Sequence, residues 1–136
     1  MKSKALNHKY WFLKAEESLE MRRSSKKNKK ISNERLCMES FYAVEFTLKG
    51  LMIYYGIRFP KTHIILTLID ILEKNGHKIP DELNAIEGLS YYKTETQYPD
   101  EYQEVTNEEE SKCFELAKKT LKWATKITEE KNSLFK

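Results

Sequence analysis

The chain has 136 residues, enough for one domain with a buried core and too few for two ordinary ones. Charged residues make up 33% of it and only 4 Gly and 3 Pro punctuate it, which argues against a turn-rich, many-stranded fold and predicts a few long helices. With 24 basic and 21 acidic residues the net charge is +3, too small for bulk charge to imply nucleic acid, and no apolar run is long enough to span a bilayer.

In chain order, Asn7 caps a first helix expected over about 7–23, on which Tyr10, Trp11, Ala15, Ser18, Leu19 and Arg22 recur at helical spacing. Residues 24–30 hold no apolar side chain until Ile31 and are expected to form a basic, solvated loop; Arg22, Arg23, Lys26, Lys27, Lys29 and Lys30 follow one another with no acid between them. Ser32 caps a second helix running to Tyr55, with Ile31 and Leu36 placed for a hydrophobic staple across the cap. Leu36, Ala43, Val44, Leu48, Leu51, Met52 and Tyr55 make a broad apolar face on it. Phe41, Phe46 and Ile53 widen that face so far that the helix must be buried on more than one side.

Gly56 can take the left-handed conformation that ends a helix and Pro60 cannot continue one, so residues 56–61 form a short connection. Thr62 is the expected cap of a third helix carrying Ile64, Ile65, Leu66, Leu68, Ile69 and Leu72, which stops near Asn75 and Gly76. A fourth helix is expected over about 80–93, with Pro80 in its first turn, Asp81 and Glu82 near the positive end of the dipole, and Leu83, Ile86 and Leu89 facing inward. Residues 94–105 read as an extended acidic loop around Tyr98, Pro99 and Asp100. Thr106 and Glu109 then form a capping box for a last helix whose Cys113, Leu116, Ala117, Thr120, Leu121, Ala124 and Ile127 keep helical spacing, with Trp123 at the edge. The result is an all-α domain of about five helices over 1–136, with no internal repeat.

Cys37 and Cys113 lie far apart in apolar helical patterns and form no C-x-x-C pair, so they read as buried free thiols in a reducing compartment. The N-terminus reaches no signal-peptide apolar core, and a soluble cytoplasmic protein is expected. His8, His63 and His77 have no metal-ligand spacing and there is no Gly-rich phosphate loop, so neither a metal nor another cofactor is expected.

Cys37, Ala43, Glu45, Leu48, Lys49 and Leu51 on the second helix, Gly56, Pro60, Thr62 and His63 at the turn, then Ile79, Pro80 and Leu83 follow a familiar order. Tyr92, the triplet Tyr98, Pro99 and Asp100, and finally Ala117 and Trp123 continue it. Over most of its length the chain thus resembles the HEPN domains (higher eukaryote and prokaryote nucleotide-binding), in the branch found beside minimal nucleotidyltransferases. The resemblance implies an antiparallel, up-and-down helical bundle that pairs into a homodimer with a cleft near the dimer axis. It also implies a nucleotide- or RNA-binding, or partner-binding, component of a nucleotidyltransferase-associated, toxin–antitoxin-like module; some relatives are metal-independent ribonucleases. Relatives in the branch commonly carry Arg before the Tyr-Pro-Asp triplet, where this chain has Gln97. Ribonuclease members carry Arg, four to six residues, then His, usually with a polar residue directly after the Arg; here Arg58 and His63 keep the count, with Phe59 and Pro60 between them.

Cleaving RNA without metal needs a base for a 2′-hydroxyl and a cation for the phosphorane charge, and Arg58 and His63 have that chemistry. In the first turn of the third helix, the dipole would favour a neutral His63, suited to act as a base. The alternative is that His63 caps the helix and hydrogen-bonds across the turn, leaving Arg58 on the surface. Glu45 and Lys49, four apart, suit an ion pair lying either in a cleft or interface or on an exposed stripe. Without cutting anything, a cleft around Glu45, Lys49, Tyr98 and Asp100 would hold a nucleotide or a partner protein. The basic loop 24–30 lacks the interleaved aromatics of a base-stacking surface; Tyr91, Tyr92, Tyr98 and Tyr102 come closer to one.

Overall fold

Side-chain capping sets where the first, second and last helices begin. The Asn7 side chain accepts from the Lys9 N–H, and Ser32 accepts from the Arg35 N–H, so the first two helices start one residue after their caps. In the computed structural model of the chain, which describes residues 6–91 and 104–133, the elements are α1 (His8–Ser25), α2 (Asn33–Tyr55), α3 (Ile65–Lys74), a 3₁₀ helix η1 (Asp81–Leu89) and α4 (Asn107–Ser133). No strand occurs among the described residues, and the fold is an all-α bundle. Gly56 ends α2 at φ 70°, its N–H returning to the carbonyls of Met52 and Ile53. The Thr106 hydroxyl accepts from the Glu109 N–H at 3.1 Å while the Glu109 carboxylate takes the Thr106 hydroxyl, which makes the start of α4 a closed box.

The breadth of the apolar face on α2 makes it the hub: it packs against α1, α3, η1 and α4 alike. Phe41, Val44, Leu48, Leu51 and Met52 are all essentially inaccessible. Gly50 lets α1 come close, because a Cβ there would sit 2.7 Å from a Phe12 ring carbon and 3.0 Å from the Trp11 Cβ. That contact, late in α2 and early in α1, makes the two helices antiparallel. Asn33 donates to Asn107 and to the Val105 carbonyl, both at 3.0 Å, so α2 and α4 begin side by side and run the same way. The elements between them return the chain to the starting end, which lets two helices of one bundle share a direction.

Three expectations need correction. The first helix does not end at 23: α1 continues to Ser25, and Arg22 on its inner face is buried against α4. There its guanidinium grips the fully buried Glu110 carboxylate with two bonds of 2.7 Å, Lys26 reaches the same carboxylate at 2.9 Å, and the Phe114 ring lies 3.8 Å from the Arg22 Cζ. The third helix starts at Ile65, not at His63; the Thr62 hydroxyl accepts from the Ile64 N–H instead of capping a helix already begun. The fourth element is 3₁₀ and not α, and Leu83, Ile86 and Leu89, three residues apart, line up on its buried side. The acidic stretch 94–105 falls outside the described residues except for Glu104 and Val105. Val105 is buried, and its N–H donates to Glu34. No helix among the described residues is long and apolar enough to cross a membrane.

Candidate functional site

After Gly56 the chain turns back along α2. Ile57 donates to the Met52 carbonyl, and His63 reaches Glu45, ten residues and so about 15 Å up the helix from Tyr55. Residues 65–74 then run toward the end of α2 again, until the His77 ring stacks on Tyr55 at 3.6 Å. The returning segment 56–64 carries Arg58, Lys61 and His63 and no acid.

Glu45 is the centre of the site. Its Oε2 accepts from Lys49 Nζ at 2.9 Å and lies 2.9 Å from His63 Nδ1, while its Oε1 is buried with no hydrogen-bond partner. The Glu45 and Lys49 side chains are 3% and 8% exposed, so the pair lies inside the fold and not on an outer stripe, whereas the His63 side chain is 67% exposed. Since Oε2 already accepts from an ammonium, the contact from the imidazole is a donation as well. Nδ1 therefore carries the ring proton, and a neutral ring has its lone pair on Nε2, at the solvent edge. The buried charges of Glu45 and Lys49 cancel, which leaves the cations of the returning segment as the local surface charge.

An aromatic wall flanks the pair. Lys49 Nζ lies 5.9 Å from the Trp11 ring centre, and the Trp11 ring meets Phe46 at 6.1 Å and Phe59 at 6.4 Å. Arg58 is exposed and lines a different feature, an apolar groove of about 400 Å³ formed with Leu6, Ile53, Gly56, Ile57 and Phe59. His63 is not among the residues of that groove. Tyr98 and Asp100 lie outside the described residues, as do Tyr92 and Tyr102; Tyr91 is described and exposed. Sequence reasoning joined Glu45 to Lys49 and missed that His63 completes the trio, because that bond spans 18 residues and a reversal of the chain. The signal available was a buried-helix carboxylate followed by a His just after a helix-ending Gly and Pro.

Among the described residues, no group of three or more His, Cys, Asp and Glu side chains is placed to hold a metal ion. The HEPN domain family profile matches residues 8–128, from the first residue of α1 to deep in α4. The chain belongs to the HEPN family. No match was found among the curated proteins or among the solved structures. Membership in the HEPN family supports a nucleotide- or RNA-related function in general terms, and the matched span includes every residue of the site around Glu45.

Proposed function

We propose that this HEPN domain is a nucleotide- or RNA-binding component of a nucleotidyltransferase-associated, toxin–antitoxin-like module, and that it works as a homodimer. The observation that carries the reading is the acid-free segment bearing Arg58, Lys61 and His63, held against α2 by the buried Glu45. Such a surface attracts phosphate, and it lies beside aromatic rings able to take a base. Pairing of two copies is supported by the outward side of α2. Met38, Tyr42, Phe46 and Ile53 stay only half-buried there, and Ile64 and Leu66 are exposed nearby on the following segment.

Titrating a fluorescent single-stranded RNA, and separately nucleoside triphosphates, into the purified protein tests the binding. Affinity should fall with salt, and Arg58→Ala with Lys61→Ala should weaken it and flatten the salt slope by about two phosphate contacts. A melting temperature unmoved by RNA and by nucleotides would sink this reading in favour of a partner-binding scaffold, tested by co-purification with a nucleotidyltransferase encoded beside it. Sedimentation equilibrium tests the dimer.

The second reading is a metal-independent ribonuclease in which Arg58 stabilises phosphate charge and His63 acts as base, sharing a cleft with the dimer mate. It is favoured by the Glu45 to His63 contact, which gives the ring the tautomer a base needs. Equal degradation of a mixed RNA pool by wild type and His63→Ala, with chelator present, would remove it.

A further inference from the structure

The three histidines of the chain are held very differently. His8 sits edge-on to Phe12 and Tyr54, with ring centres 5.6 and 5.0 Å away. His77 lies flat on Tyr55, 3.6 Å between centres and 8° from parallel. His63 alone of the three is anchored through one nitrogen with most of its ring in solvent. The geometry points to His63 Nε2 as a phosphoryl acceptor, a modification site whose donor is a small phosphorylated compound of the phosphoramidate or acyl phosphate class.

The chemistry follows from the anchoring. With the proton of the neutral ring held on Nδ1 by the Glu45 carboxylate, the Nε2 lone pair is the nucleophile on the exposed edge. It attacks the phosphorus of phosphoramidate; the new N–P bond forms as the donor's own P–N bond breaks, and that electron pair leaves with ammonia. The product ring keeps its Nδ1 proton and carries a positive charge, and the charge-assisted bond from Nδ1–H to Glu45 stabilises it. The segment that carries His63 holds no carboxylate, and its other charged residues are Arg58 and Lys61. Glu45 is here a positioning residue: it directs the reaction to Nε2 by occupying Nδ1.

The phosphoryl group brings close to two negative charges while the ring gains one positive, so modification adds about one net negative charge, which would offset one of the two cations that the proposed binding surface offers to phosphate. Modification of His63 thereby turns that surface down, a consequence that rests on the RNA- or nucleotide-binding reading, whereas the acceptor assignment does not.

The test treats the full chain with potassium phosphoramidate near pH 7 and follows it by mass spectrometry and phosphorus NMR. One phosphoryl should enter first, at Nε2 of His63, before His8 or His77 reacts, and His63→Ala should lose this fast phase. In Glu45→Gln the labelling should slow several-fold and spread over both ring nitrogens. First labelling at His8 or His77, or at Nδ1 of His63, overturns the assignment in the wild-type protein alone, whether or not Glu45→Gln folds. Labelled protein should bind RNA on the order of tenfold more weakly at 0.1 M salt. Unchanged RNA affinity after complete labelling overturns the switch, while a wild type that binds neither RNA nor nucleotide yet labels at Nε2 upholds the acceptor and removes the function reading.

Discussion

Replacing Glu110 by Gln should cost the domain about 3 kcal/mol of folding stability. The carboxylate is fully buried and takes two bonds of 2.7 Å from Arg22, whose side chain is only 11% exposed and cannot rehydrate in place. Removing one partner of a buried pair typically costs about 3–5 kcal/mol, because the survivor stays desolvated. Gln keeps one oxygen for one of the Arg22 bonds, and Lys26, whose side chain is 32% exposed, returns to water, so the lower end of that range applies. For a chain of 136 residues that loss lowers the melting temperature by about 10 °C. Urea denaturation at pH 7, followed by circular dichroism, measures it. The double change Arg22→Met with Glu110→Leu should restore most of the loss, since a well-packed apolar pair needs no desolvated charge. Burial pushes the Glu110 carboxyl upward, but the bonds and charges of Arg22 and Lys26 outweigh it and hold it below the ordinary 4.5. A carboxyl held low in the folded state contributes fully above the unfolded value, and the contribution fades as pH falls through the lower folded one. The gap between wild type and Glu110→Gln should therefore be constant above about pH 4.5 and narrow only below it. A loss under about 1 kcal/mol at pH 7, or a double variant no better than the single one, would refute the reasoning.

Gly50→Ala should destabilise by about 1–3 kcal/mol in the same urea assay, because the Phe12 ring must leave its place over α2, and a neutral result would mean that α1 slides easily. Gly56→Ala should cost about 1 kcal/mol, since φ is 70° there, and Gly56→Asn less; equal costs would argue against a conformational cause. The Cys37 thiol hydrogen-bonds to Cys113 inside the core, and that contact together with burial raises its pKa far above the usual thiol range. Iodoacetamide at pH 8 should accordingly label neither cysteine faster than the protein unfolds, and rapid labelling of the native protein would contradict this placement.

Local rules in the sequence carried the ends of the helices. Asn7, Ser32, Gly56 and the Thr106 and Glu109 box each act within four residues, and each does in the structure what its side chain or backbone allows. The misread places are those where a distant partner decides. Arg22 looked like the first member of a solvated basic run, although its helical spacing with Ser18 and Leu19 already put it on the inner face of α1; its partner Glu110 hid in an acidic run 88 residues away. The 3₁₀ geometry of η1 was not legible, because the spacing of Leu83, Ile86 and Leu89 suits an α-helix as well as a 3₁₀ one, and Pro80 with two acids after it reads as an ordinary helix start. Of the candidate site, the Glu45 and Lys49 pair was readable from four-residue spacing, whereas its burial and its bond to His63 depend on how residues 56–64 double back.

The bond between Arg22 and Glu110 also bears on the order in which the chain can close. At roughly 5–20 residues per second a ribosome makes the second partner about 4 to 18 s after the first, across the 88 residues between them. During that interval α1 and α2 can already meet through Gly50, but the Arg22 guanidinium has no buried counter-ion and must stay hydrated at one end of the hairpin. The first two helices can thus assemble early without locking, and the charge pair commits the bundle only when α4 arrives.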